Sequence, residues 1–332
     1  MTDQKNTAVV LLQLGGPDNL DAIEPFLYNL FCDPDIIDIP GAFLFRRPLA
    51  RLISSLRAPK VQELYKSIGS KSPILEQTTL QADTLKKYFR DKQIDLPVYV
   101  AMRYWHPMTD IVVEHLIRDG IRKVILVPLY PHYSRATTGS SVNEWNRMLK
   151  QQGVEQQFEY SLVHSYPEHP LYIQALVERI NEALERFSVE DREKVHLVFS
   201  AHGTPIKLVK EGDPYSHQIR KTFEAVVKQG KYSQPSTLCF QSKVGPQKWL
   251  TPSLTGTVER LAQDGVTHML VIPIAFVSEH IETLSEINIE ARNEALKFGV
   301  QVFEMMPALL DHPKFIECLA EVTLEKLETS NG

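Results

Sequence analysis

The sequence runs to 332 residues, 43% of them hydrophobic; that length accommodates two domains, and no apolar run approaches the ~20 residues of a membrane span. Its formal net charge of −5 argues against nucleic acid as the main partner, because phosphate binding needs a concentrated basic surface. Three scattered cysteines, Cys32, Cys239 and Cys318, supply neither a four-thiolate cluster nor a disulfide framework, and MTDQKNTAVVLLQLGGP carries no targeting signal, so a cytoplasmic protein is expected.

In chain order, short β-branched runs fall at residues 8–14, 98–102, 124–129, 158–163, 195–200, 237–240, 268–274 and 300–305. Amphipathic stretches lie between them at 79–92, 109–119, 171–187, 215–229 and 255–264. This alternation predicts parallel α/β sheets. The halves also resemble each other. LIRDGIRKVILVPLYPHYS from Leu116 aligns with LAQDGVTHMLVIPIAFVSE from Leu261, SYPEHPLYIQAL from Ser165 with ALLDHPKFIECL from Ala308, and LQLGGP with SAHGTP. Three matches in one order predict two similar Rossmann-like domains, each a four-stranded parallel sheet flanked by helices, facing one cleft. We place them at residues 1–164 and 165–332, with the last helix packing back on the first domain.

The first connection is much longer in the first copy, which places an insertion at about residues 25–69. Within it GAFLFRRPLARLISSLRAPK, from Gly41 to Lys60, sets five basic residues among Phe43, Leu44, Phe45, Leu49, Leu52 and Ile53 with no acid. Such a segment suits a membrane surface, an amphiphilic acidic ligand, or an ordinary helix docked on its domain. Cys32 and Cys239 lie in apolar surroundings and are expected to be small buried side chains.

Ligands of open α/β sheets bind beyond the carboxyl ends of the strands. The predicted exits gather Arg103-Tyr104-Trp105-His106, the loop from Tyr130 to Ser134, His202, Gln241-Ser242-Lys243 and the stretch opening at Ser278. His202 follows the apolar run VHLVFSA and precedes Gly203-Thr204-Pro205, where a neutral imidazole accepts a proton, ligates a metal, or simply braces a loop. In FVSEHIETLSEINIE, Glu282, Glu286 and Glu290 recur every four residues and stack on one helix face. Like charges so placed oppose a helix by roughly 0.2–0.5 kcal/mol per pair, so the face is either solvated or used to handle cations or protons. Ser141-Val142-Asn143-Glu144 has the spacing of a helix capping box. Neither a phosphate-binding GxxxxGK[ST] nor an HExxH zinc pair occurs, which argues against nucleotide chemistry and a tightly held zinc.

Taken in order, LGGP at Leu14, RAPKVQELYKSIGSKSPI, MRYWHP, PHYSRATTGSS, FSAHGTP, EGDPY, FQSKVGPQKWLTP and PIAFVSEHIETLSE resemble the ferrochelatases, nearly end to end. The resemblance implies an enzyme that inserts Fe(II) into protoporphyrin IX to give protohaem and two protons, with porphyrin and ferrous iron as substrates. By that likeness His202 is the proton acceptor or metal ligand, with Glu282 facing it across the ring. Glu286 and Glu290, with Glu279 and His280, form a proton or metal path. Tyr104, Tyr130, Trp249 and Phe276 grip the macrocycle, Arg103 and Ser134 meet its propionates, and the insertion forms a lip that also touches a membrane. Asn288 stands where many relatives carry an acid. No tightly bound cofactor and no [2Fe–2S] cluster is expected, since the cysteine-bearing extension of animal members is missing after Gly332. Two rivals keep their place: a coproporphyrin III or cobalt chelatase, and a non-catalytic haem carrier, which would need an apolar slot but no acidic ridge.

Overall fold

The computed structural model describes residues 6–36, 45–243 and 247–329. In chain order these form β1 (Thr7–Gln13), α1 (Ile23–Cys32), α2 (Arg46–Lys66), α3 (Ile74–Asp91), β2 (Val98–Met102), α4 (Thr109–Arg118), β3 (Lys123–Pro128), α5 (Ser140–Gln152), β4 (Glu159–Leu162) and α6 (Pro170–Leu184). The chain continues with β5 (His196–His202), α7 (Ile206–Lys210), α8 (Tyr215–Gly230), β6 (Ser236–Gln241), α9 (Leu254–Gln263), β7 (His268–Pro273), α10 (Arg292–Lys297), β8 (Val302–Met305) and α11 (Pro313–Thr329). Two four-stranded sheets result, ordered β2-β1-β3-β4 and β6-β5-β7-β8, with every pairing parallel. The matches read from the sequence are therefore a repeat of topology. The chain divides into two compact units, one running to Tyr166 and resuming at Ile316, the other Pro167–Phe315.

Burial explains which runs became which strands. The inner strands β1 and β7 are buried along their whole length, and their near-continuous runs TAVVLLQ and HMLVIP are what a parallel strand covered on both faces requires. The outer strands β4 and β8 are only partly covered and read EYSL and VFEM. The Asp-Gly pair common to both copies ends a helix in each. Gly120 (φ +75°) and Gly265 (φ +86°) have open space where a side chain would go, so conformation rather than room demands glycine. Ile121 donates its N–H to Leu116 O at 2.9 Å, and Val266 to Leu261 O at 3.0 Å, the reach-back that closes a Schellman motif. Each such pair also joins its unit's core, Leu116 and Ile121 in the first and Leu261 with half-buried Val266 in the second.

The insertion contains two helices, α1 and α2, packed on each other. Ala50, Ser54 and Ala58, four residues apart, are the small buried face of α2, while Phe45, Leu52 and Leu56 are 69%, 57% and 73% exposed on the other side. Arg51 lies over the Tyr28 ring at 5.9 Å and Arg57 over Phe31 at 5.6 Å. Residues 41–44 of the predicted lip and 244–246 of FQSKVGPQKWLTP lie outside the described residues. Among the described residues no helix is long and apolar enough to cross a membrane.

Three expectations are corrected. Cys239 is buried, but Cys32 is half-buried at the last turn of α1. Ser141 and Glu144 make no capping box, because a π-helical turn, Arg135–Gly139, runs straight into α5 and moves the helix start upstream. Glu144 instead pairs with Arg103 and Arg147. The acidic stretch is a π-helix over Glu282–Ala291 rather than an α-helix. Its wider turn keeps residues four apart on one side, so the acids still align, but they border the buried stripe of Thr283, Ile287 and Ala291 instead of opposing it.

Candidate active site

In the second unit β5 pairs with β6 on one side and β7 on the other, and the connection reverses direction between β5 and β7, where open α/β sheets bind ligands. His202 ends β5, half-buried, with Nδ1 2.7 Å from Gly203 O. A carbonyl only accepts, so in the neutral ring Nδ1 carries the proton and Nε2 keeps its lone pair. The turn itself needs glycine: Gly203 N–H donates to Gln241 O at 2.7 Å, and a Cβ on Gly203 would lie 2.7 Å from that oxygen and 3.4 Å from Trp249 Cε3. Trp249 is held there by a bridge to Pro205. Beneath the turn the buried Tyr215 hydroxyl meets the His202 backbone.

Beyond β7 the chain turns at Phe276, whose N–H donates to Pro273 O at 3.1 Å and whose ring stands edge-on to His280 at 5.3 Å. His280 is buried, with Nε2 3.1 Å from Ser278 Oγ and Nδ1 4.0 Å from Glu282 Oε2. Burial pushes its pKa below the ordinary range, and the opposing Glu282 charge does not restore it. Glu279 serves as a brace: its carboxylate accepts from Thr283 Oγ1 at 2.6 Å and from Ala308 N–H at 2.8 Å. Along the π-helix Glu282 and Glu286 are half-buried and Glu290 is exposed, so the acids run from interior to solvent. Burial raises the Glu286 pKa, Ser242 hydrogen bonds oppose it, Glu282 raises it further and His202 lowers it. Asn288 accepts twice from Arg292, at 3.1 Å on its main-chain oxygen and 2.8 Å on Oδ1.

In the first unit Arg103 and Tyr104 leave β2 into the interior. Arg103 reaches Asp33 at 2.9 Å, Glu144 at 3.4 Å and Ser140 Oγ at 2.8 Å, and its guanidinium lies 4.8 Å over the Tyr104 ring. The Tyr104 hydroxyl donates to Asp33 Oδ2 at 2.5 Å, and burial holds its pKa well above the ordinary value. Tyr130 is half-buried, and its hydroxyl pKa is likewise pushed up, by burial first. Ser134 is buried, its Oγ accepting from Ala136 N–H at 3.2 Å as the cap of the π turn. Asp33 went unnoticed in the sequence, where an aspartate after an apolar helix reads as a surface turn; only the Arg-Tyr pair at the β2 exit hinted at a buried acid. Gln241 and Ser242 were noted only as an exit.

At one end of one sheet the structure thus brings His280 and Glu286 each within electrostatic reach of both His202 and Glu282, with Trp249 by the Gly203 turn and Phe276 against His280. Among the described residues no three His, Cys, Asp or Glu side chains cluster as ligands for one ion. The paired four-stranded sheets are similar in fold to the sirohydrochlorin chelatase SirB from Bacillus subtilis subspecies spizizenii in complex with cobalt, at TM-score 0.55 and 10% identity over 98% of this chain and 97% of that one. The two structures therefore share a fold of paired four-stranded parallel sheets. The ferrochelatase family model matches residues 6–327, and the chain belongs to the ferrochelatase family. It is 48% identical over 319 residues to the ferrochelatase of Geotalea daltonii, covering 96% of this chain and 97% of the relative. It is 43% identical over 320 residues to that of Gloeothece citriformis, covering 96% and 82%.

Proposed function

We propose that the protein inserts Fe(II) into protoporphyrin IX, releasing protohaem and two protons. Family membership supports the reaction class, and one observation carries the assignment of the site: an imidazole whose Nδ1 is fixed on Gly203 O, leaving an acceptor nitrogen beside half-buried acids at one sheet end. Metal entry requires the two pyrrole protons to leave while the inward-pointing nitrogen lone pairs turn toward the ion. Holding the ring bent favours that geometry over the flat ground state. His202 Nε2 takes a proton or hands over the metal, Glu282 acts opposite it, and Glu286 and Glu290 carry charge to solvent. Burial, which raises the Glu286 pKa, favours proton uptake at that carboxylate. His280 and Glu279 act from behind, as packing and as a brace.

Trp249 and Phe276 supply apolar contact to the ring beside His202. Arg103 and Tyr104, committed to Asp33, act by fixing the β2 exit. The exposed Phe45, Leu52 and Leu56 between arginines support a lip that touches the porphyrin and the inner membrane face of a cytoplasmic protein. Each of these leucines, more than half exposed, forgoes part of the roughly 1.5–3 kcal/mol that full burial would give.

Anaerobic mixing of the protein with Fe(II) or Zn(II) and protoporphyrin tests the reading. We expect loss of the free-porphyrin spectrum over many turnovers, with protoporphyrin consumed faster than coproporphyrin III. One equivalent bound without turnover would identify a carrier instead, and a preference for coproporphyrin III or for cobalt would reassign the substrate.

A further inference from the structure

The β6 exit has no role in the reading above, yet it grips both half-buried acids. Gln241 pairs with His202 across the β5–β6 ladder. Its side-chain carbonyl accepts from Ser200 Oγ at 2.6 Å, and its amide donates to the Glu282 main-chain oxygen at 3.0 Å. Ser242 then donates twice to one carboxylate: its N–H to Glu286 Oε1 at 2.7 Å and its hydroxyl to Oε2 at 2.5 Å. Each oxygen is held, and each keeps lone-pair capacity for a further partner. Ser242 has φ +65°, a left-handed conformation sparsely populated by residues other than glycine. A strained backbone that ends in a two-point grip on one functional acid is what a positioning device looks like.

Resting on the chelatase reading, we infer that Ser242 is a positioning residue for metal and proton transfer: it fixes the Glu286 carboxylate in one orientation toward Glu282 and His202. Those two are the charged groups that act on Glu286. Without the Ser242 hydroxyl only the backbone N–H still holds the carboxylate, so Glu286 samples more orientations, and each capture of an ion or proton must first freeze one.

Wild type, Ser242→Ala, Glu286→Ala and the double variant are compared in anaerobic Zn(II) insertion, varying Zn(II) at saturating protoporphyrin and then protoporphyrin at saturating Zn(II), with thermal unfolding alongside. Ser242→Ala is expected to lose about tenfold in kcat/KM for Zn(II), the scale of one hydrogen bond to a charged acceptor, while the porphyrin KM and Tm stay put. In the Glu286→Ala background the same change should alter kcat/KM by less than about twofold, because the group it acts through is gone. Should Ser242→Ala fold poorly, Ser242→Gly removes the same hydroxyl in a residue that accepts φ +65° and carries the same expectation. Losses that multiply across the two backgrounds, or a Ser242 variant with wild-type metal dependence, would overturn the inference alone. A wild type without turnover would remove the reading beneath it.

Discussion

Replacing His202 by alanine tests the chemistry assigned to the β5 exit. The ring is half-buried and makes one hydrogen bond, to Gly203 O at 2.7 Å, so its removal should lower stability by only about 1 kcal/mol. The catalytic loss should be far larger. A positioned general base contributes about 10²–10⁴-fold, or roughly 2.7–5.4 kcal/mol of barrier, and no other neutral acceptor takes its place. His280, the nearest imidazole by charge, is buried, and its Nε2 already meets Ser278. The assay is anaerobic Zn(II) insertion followed by the free-porphyrin spectrum, with porphyrin affinity measured separately by fluorescence quenching. Turnover should fall at least a hundredfold with affinity nearly unchanged, and free imidazole should restore part of it. Turnover within about threefold of wild type would remove His202 from the mechanism.

Gly203→Ala forces a methyl to within 2.7 Å of Gln241 O, so the β5 and β6 exits must part; we expect about 1–3 kcal/mol lost in chemical denaturation and a lower kcat. Asp33→Ala strands the Arg103 charge with only Glu144 at 3.4 Å, and about 3 kcal/mol should be lost in the same measurement. Burial pushes His132 from 6.5 down to about 3. Its neutral form stabilises the fold above pH 6.5, and that contribution drains away as pH falls toward 3, by up to about 5 kcal/mol; His132→Gln should flatten this limb of the stability curve. Leu52→Glu combined with Leu56→Glu should weaken sedimentation with anionic vesicles at least tenfold while leaving Tm within a degree or two, since both side chains are exposed.

The repeat was legible because it is written in local chemistry. Apolar strand, Asp-Gly helix end and Pro-initiated helix each leave a signal within a few residues, and β3 and β7 carry the same run into the same place in their sheets. His202 was legible for the same reason, as a histidine and glycine at the end of an apolar run. The π-helix was not: a period of four fits both helix types, so the spacing of the acids does not tell which turn forms. The capping box failed because Ser-x-x-Glu spacing says nothing about whether helix already precedes it. Long-range partners left almost no local signal. Asp33 finds Arg103 from another part of the chain, and Ser242 finds Glu286 across a loop, so no spacing rule reaches either pair.

The central claim is catalysis of metal entry with proton release, and both products can be followed in one cuvette. Wild-type protein in weak buffer with a pH indicator, excess protoporphyrin and Fe(II) under nitrogen should release two protons for every porphyrin consumed, over many porphyrins per protein. Porphyrin loss that stops at one equivalent, or that proceeds without proton release, would contradict the account.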